Sequence, residues 1–235
     1  MNRPGLFISF EGLDKSGKST QLKLLQERLA ATGRAILVTR EPGGTPLCER
    51  IRELVMQFHH EHIAPETELL LFSASRAQLV QERIRPALQA GQIVLCDRFA
   101  DSTVAYQGFA RGLPRQTIDQ LAAIATGGCT PDLTFLLDIP VPDSFARLRQ
   151  VLAQDHAESD RFEHEKAAFY EQVRQGYLAL AREFPDRIRL HNALQPVDII
   201  ADAIWKAVEP LLCLAIRNTH LLPRRRCLGA LTFPP

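Results

Sequence analysis

An α/β domain with a parallel sheet is the fold class this sequence predicts, and three observations carry it. The first is Gly12-Leu13-Asp14-Lys15-Ser16-Gly17-Lys18-Ser19, a G-x-x-x-x-G-K-[ST] loop of the kind whose backbone N–H groups cradle phosphate. The second is its setting. The apolar run at 6–10 precedes it, and Leu22, Leu25 and Leu29 recur behind it at helical spacing, so strand, glycine turn and helix stand in the order such a loop requires. The third is that four further short β-rich runs alternate with helical patterns down the chain, as parallel βα units do.

The loop carries the first chemistry. Its glycines let successive N–H groups curl around phosphate oxygens, and the N-terminus of the helix behind it adds partial positive charge. Lys18 would reach β- and γ-phosphates, and Ser19 would place its hydroxyl on Mg²⁺. A glycine-rich turn matching by coincidence is the alternative, and the flanking strand and helix count against it.

Composition bounds the remainder. At 235 residues, with a phosphate loop at its start, the chain reads as one domain over 1–213 followed by a tail at 214–235. A net charge of +1, from 28 basic and 27 acidic residues, leaves no electrostatic footprint for nucleic acid or a membrane surface. No stretch approaches the ~20 apolar residues of a membrane span, and no cleavable leader precedes the loop, so a cytoplasmic protein is expected. Cys48, Cys96, Cys129, Cys213 and Cys227 are scattered and suggest neither a disulfide framework nor a zinc site.

In chain order, Gly33 ends the first helix and 35–39 forms the second strand, which runs into Arg40-Glu41-Pro42-Gly43-Gly44-Thr45. That Pro- and Gly-broken bend falls at the carboxyl end of the sheet, where α/β ligands bind, although an ordinary turn would look the same. A helical pattern over 46–58 is followed by His59-His60-Glu61-His62, a solvated loop rather than a metal site because nothing nearby would fix ligand geometry. The helical region 65–90 sets Phe72 and Arg76 four apart on one face; a core Phe beside a surface Arg is the plain alternative. The third strand, 93–96, ends in Asp97-Arg98-Phe99, and a carboxylate closing a strand beside a phosphate loop suits Mg²⁺, with Arg98 over the site. Ser102, Thr103, Tyr106 and Gln107 cluster hydroxyl and amide groups suited to a sugar or base edge, unless they merely start a helix. A helix over 113–125 and a fourth strand at 133–138 follow. The next helix carries Arg147 and Arg149 into a polar stretch at 150–160 that reads as a lid, set within 147–161 and closed by Arg161. A helix over 169–184, a fifth strand at 187–190 and a closing helix at 197–212 complete the domain. The tail lacks apolar periodicity and carries three arginines at 224–226; it is expected to be disordered or loosely docked.

Six segments together resemble the thymidylate kinase family, which phosphorylates dTMP to dTDP with ATP. They are Phe10-Glu11-Gly12-Leu13-Asp14 with the loop, Thr39-Arg40-Glu41-Pro42-Gly43-Gly44-Thr45, Asp97-Arg98-Phe99, Ser102-Thr103-Val104-Ala105-Tyr106-Gln107-Gly108, Pro131-Asp132-Leu133 and Asp160-Arg161-Phe162-Glu163. The resemblance implies a P-loop kinase fold, with a five-stranded parallel sheet flanked by helices and a short lid, usually as a homodimer. It implies that Gly12 to Thr20, with Arg147 and Arg149, bind ATP. Asp14 would meet the deoxyribose 3′-hydroxyl, Phe72 would stack on thymine, Arg76 would donate to a thymine carbonyl, and Thr103 and Gln107 would lie by the base. Arg98 would bind the monophosphate with Arg40 in support, Tyr106 would crowd C2′, and Asp97 and Ser19 would organise Mg²⁺.

One departure concerns the catalytic cation. Some members carry an arginine two residues before the loop's second glycine, and others carry it in the lid. Here the loop residue is Lys15 and 150–160 holds no arginine, so Lys15 is expected to supply the charge, with Lys18, Arg98 and Arg161 contributing. A kinase for another nucleoside monophosphate, or a P-loop switch without an acceptor, is the rival reading. The latter would leave Asp14, Phe72, Arg76 and Tyr106 without work.

Overall fold

Five apolar runs become five parallel strands in the computed structural model, which describes residues 5–56, 63–155, 162 and 165–219. They are β1 (Leu6–Glu11), β2 (Ile36–Arg40), β3 (Ile93–Asp97), β4 (Leu133–Asp138) and β5 (Ile188–Asn192), in the spatial order β2-β3-β1-β4-β5. All six residues of central β1 are buried, whereas the edge strands β2 and β5 alternate towards solvent. This is why 6–10, 93–96 and 133–137 read as continuous apolar runs: a parallel strand covered on both faces has no polar side.

Helices fill the crossovers. They are α1 (Lys18–Ala30), α2 (Pro46–Met56), α3 (Pro65–Leu79), α4 (Arg85–Gln89), α5 (Ala100–Thr103), α6 (Arg115–Thr126), α7 (Val141–Asp155), α8 (Ala167–Glu183) and α9 (Val197–Thr219). Ile8, Phe10, Leu95 and Phe135 share a core with Leu25 and Leu29 of α1 and Ile204 and Val208 of α9. Phe7, Val94 and Cys96 share a second one with Leu79, Ile84 and Leu88.

Three elements depart from the sequence expectation. The helical region 65–90 is not one α-helix: a π-helical turn, Val80–Ile84, joins α3 to α4. Pro86 is the cause, since a proline two residues into α4 offers no N–H and crowds the carbonyl four residues back, and widening the turn lets Arg85 N–H donate to Val80 O instead. The helix α7 runs on to Asp155, into the stretch expected to be lid; its Leu, Ala and Gln residues are good helix formers. Finally, α9 continues to Thr219, seven residues beyond the expected 212. The histidines at 59, 60 and 62, Arg161 and the tail arginines at 224–226 lie outside the described residues.

The carboxyl ends of β1, β2 and β3 open on one edge, where β1 sits between β3 and β4 and the connections turn from one side of the sheet to the other. Ligands of open α/β sheets bind at such a crevice. A second π-helical segment, Val104–Ala110, follows α5 and packs on α8. The close approach requires Gly176: a Cβ there would lie 2.9 Å from the Ala105 Cα, and this brings the neighbouring Tyr177 against the end of β1.

Candidate active site

The loop after β1 has the backbone a phosphate cradle needs. Gly12, Lys15 and Gly17 take φ of 135°, 57° and 97°, and a Cβ on Gly12 would meet Leu137 O at 2.4 Å, so only glycine fits there. Lys18, the first residue of α1, folds back to donate to Gly12 O at 3.1 Å and Leu13 O at 2.8 Å. Burial, joined by the charge of Arg98, pushes its ammonium down to about 8 against the pull of Asp97 and Asp14. Ser19 donates to Asp97 Oδ2 at 2.9 Å, which brings a hydroxyl and a carboxylate together at the ends of α1 and β3. Arg147 of α7 spans from Lys15 O at 3.2 Å to Ala193 O at 3.0 Å, fastening the loop to the β5–α9 connection.

A cavity of about 680 Å³ opens beside the loop, within the size range of small-molecule sites. Arg98 stands over it in a left-handed conformation, φ 69°, which a non-glycine residue adopts only when its surroundings impose it. Its guanidinium donates to Asp14 Oδ1 at 2.6 Å and Tyr177 Oη at 3.0 Å, and lies 5.3 Å from the Tyr106 ring. Burial raises the Asp14 carboxyl, but Arg98 and Lys18 outweigh it and hold the group below its usual range. Deeper in, Arg76 of α3 sets Nε and Nη2 on Glu41 Oε2, both at 2.8 Å, and its buried Nη1 has no partner among the described residues. Phe72 lines the same space, with Phe162 tilted against it at 6.2 Å and Tyr106 edge-on to Phe162 at 5.7 Å. The Tyr106 hydroxyl is likewise buried with no hydrogen-bond partner among the described residues.

Among the described residues, one cavity is thus lined by a phosphate loop, an aromatic side chain and an arginine with a partnerless nitrogen. The thymidylate kinase family model matches residues 10–204. The chain belongs to the thymidylate kinase family. It is 49% identical over 200 residues to the thymidylate kinase of Syntrophotalea carbinolica, covering 85% of this chain and 93% of that one. It is 50% identical over 212 residues to that of Citrifermentans bemidjiense, covering 88% and 94%. The crystal structure of thymidylate kinase from Ehrlichia chaffeensis superposes with a TM-score of 0.69 at 33% identity, over 87% of this chain and 98% of the other. The P-loop kinase fold expected from the sequence is the fold observed.

Against that family background, the cavity is lined by Asp14, Lys15, Gly17, Lys18, Ser19 and Thr20 from the loop side, and by Arg40, Phe72, Arg76, Asp97 and Arg98. Thr103, Tyr106, Gln107 and Arg147 line it as well. Leu13 points into the core, so only its backbone faces the loop's interior, and the buried Ser16 hydroxyl has no partner among the described residues. Arg149 is exposed on α7 and does not line the cavity. Gln107 is held by Glu68, to which it donates at 2.7 Å. Arg40 is an exposed residue paired with Glu49 at 2.9 Å. The Ser19–Asp97 pair offers hard oxygen donors of the number Mg²⁺ takes from protein, the remainder coming from phosphates and water.

Sequence reasoning missed Glu41, Arg52, Phe162 and Glu11. The first three line the cavity, and Glu11 is fully buried beneath it. Two carried a readable signal: Glu11 closes an apolar strand and Glu41 follows another, and a carboxylate in such a place has to be met by donors.

Proposed function

We propose that this chain is an enzyme that transfers the γ-phosphoryl group of ATP to dTMP, giving dTDP and ADP. The observation that carries the reading is one cavity lined both by the phosphate loop with Lys18 and by Phe72 with the partnerless Arg76 nitrogen. The curated relatives are thymidylate kinases across nearly their whole length. Phosphoryl transfer needs positioning and neutralised charge rather than a protein nucleophile, and this site supplies both. Phe72 stacks on the base and the free Arg76 nitrogen donates to a carbonyl of it. Arg98 exchanges part of its contact with Asp14 for the acceptor phosphate, and Asp14 then meets the 3′-hydroxyl; Arg40 supports that phosphate. Gly12 to Thr20 hold the donor phosphates, Lys18 and Lys15 counter the charge that builds on the transferred group, and Arg161 adds to it from the lid. Ser19 and Asp97 would hold Mg²⁺, which supplies charge neutralisation on the phosphates when bound.

The proposal extends to a homodimer. Leu54 on α2, Leu70 on α3 and Ile124 on α6 are 55%, 55% and 77% exposed, on helices that pack side by side. A cytoplasmic location and one domain over 1–213 belong to the same reading; among the described residues no helix is long and apolar enough to cross a membrane. A coupled assay with dTMP, dUMP, dCMP and no acceptor is the test. ADP release should depend on acceptor and be fastest with dTMP; equal rates without acceptor would make this an ATPase, and a preference for dCMP would make it another nucleotide kinase.

A further inference from the structure

Beneath Arg98 lies a buried carboxylate for which neither ATP nor dTMP binding has a use. Glu11, the last residue of β1, is fully buried and accepts three hydrogen bonds. Phe99 N–H donates to Oε1 at 2.7 Å, while the Ser102 and Tyr177 hydroxyls donate to Oε2 at 2.6 and 2.9 Å. Those hydroxyls come from α5 and α8 and lie 2.8 Å apart. Each also receives Arg98 Nη1, at 3.5 Å for Ser102 and 3.0 Å for Tyr177.

The direction of these bonds is determined by what each group can do. A guanidinium only donates, a hydroxyl does one of each, and the Glu11 carboxylate, ionised above about pH 7 where the kinetics below are run, only accepts. With their protons on Glu11, Ser102 and Tyr177 have lone pairs left for Arg98. Turned the other way, both would aim protons at a cation. Glu11 also holds the N–H of Phe99, directly after the left-handed Arg98, whose own N–H donates to Phe10 O at 2.9 Å. We propose that Glu11 is a positioning residue: it turns the Ser102 and Tyr177 hydroxyls so that their lone pairs face Arg98, and thereby aims that guanidinium at the acceptor phosphate. This rests on the reading of Arg98 as the acceptor-phosphate cation.

Glu11→Gln tests it with almost no change of shape. The amide oxygen must take the Phe99 N–H, which leaves the NH₂ where Oε2 was, donating to both hydroxyls and forcing their protons away from it. Steady-state kinetics on the full chain should show kcat/KM for dTMP falling by roughly 10- to 100-fold, the range for hydrogen bonds to charged groups, with the KM for ATP changed by less than about threefold. Tyr177→Phe should act on dTMP in the same sense. The double variant should lose clearly less than the product of the two single losses, because both act through one guanidinium. A purely structural lesion would lower kcat for want of folded enzyme and leave both KM values in place. If Glu11→Gln does not fold, Ser102→Ala and Tyr177→Phe carry the test, and the proposal is overturned if neither raises the KM for dTMP selectively. It is also overturned if folded Glu11→Gln matches the parent chain, or if the losses in the cycle multiply. Arg98→Ala separates the two readings. An unchanged KM for dTMP there removes the phosphate-binding role of Arg98 itself, whereas a steep rise beside a silent Glu11→Gln removes only the positioning role.

Discussion

Arg76 reaches the cavity with Nε and Nη2 engaged by Glu41, and Nη2 also lies 3.3 Å from Phe99 O. The pair is buried on both sides, so removing either partner would leave a lone charge and cost about 3–5 kcal/mol, against well under about 1 kcal/mol for an exposed pair such as Arg115–Asp119. The informative change is therefore Arg76→Lys, which keeps a cation for Glu41. A lysine is a point donor and cannot hold Glu41 and present a further fixed N–H. It should raise the KM for dTMP by roughly tenfold, one hydrogen bond to a charged group, and leave that for ATP alone; an unchanged KM for dTMP would remove Arg76 from base recognition. The Glu11 carboxyl gives a second residue-scale expectation. Burial, then the charge of Asp101, raises it to about 7 despite Arg98 and the hydrogen bonds from Ser102 and Phe99. The folded state thus keeps a proton that the unfolded chain releases at its ordinary value of 4.5. The stability this group contributes is full below that value and is lost as pH rises through about 7. Relative to Glu11→Gln, the parent chain should lose on the order of 3 kcal/mol between pH 4.5 and 8, at 1.36 kcal/mol per unit. Urea denaturation of both chains across that window checks it, and a flat difference would count against it.

Among the elements, α7 is the one that Arg147 ties to the phosphate loop. Arg147 ties Lys15 O to Ala193 O, so Arg147→Ala should loosen the phosphate loop and raise the KM for ATP several-fold, about the cost of one or two lost hydrogen bonds. Lys15 is exposed and is one of the residues that line the cavity. If it neutralises charge in the transition state, Lys15→Ala should lower kcat more than it raises either KM; a silent Lys15→Ala together with an inactive Arg161→Ala would move that role to the lid. At this scale the strands were legible and the helix joints were not. A run such as Ile93-Val94-Leu95-Cys96 contains its own answer, because apolarity on both faces already implies cover on both faces. The π-helical turn before Pro86 follows from a proline that an apolar period does not weigh, and the close seat of α8 on Ala105 through Gly176 depends on neighbours far along the chain that no local period records. For the same reason the loop residues could be named from spacing, whereas the partners that orient them could not: Glu41 and Arg76 are 35 residues apart, and Glu11 and Tyr177 are 166 apart.

For the whole molecule, the homodimer reading turns on α2, α3 and α6, which pack in a row. Leu47 and Leu54 are seven apart on α2 and so share one side of it, and both are exposed, as are Leu70 on α3 and Ile124 on α6. Four large apolar side chains thus stand exposed on these three helices, and a second copy of the chain is the occupant that the homodimer reading supplies. Every residue given a role at the site belongs to the one chain described, so separating the copies should leave the chemistry assembled. The same helix α3 nevertheless carries Leu70 outward and Phe72 and Arg76 into the cavity, so the partner would support the base-binding wall from behind. The variant Leu54→Glu/Leu70→Glu places two carboxylates in that contact, where burying them unpaired costs several kcal/mol. It should sediment at half the mass of the parent chain, keep kcat within about threefold, and raise the KM for dTMP more than that for ATP, because only the acceptor wall rests on α3. Unchanged mass would show that the copies meet elsewhere or not at all, and loss of kcat without any change in mass would show that these leucines serve the fold of α2 and α3 rather than an interface.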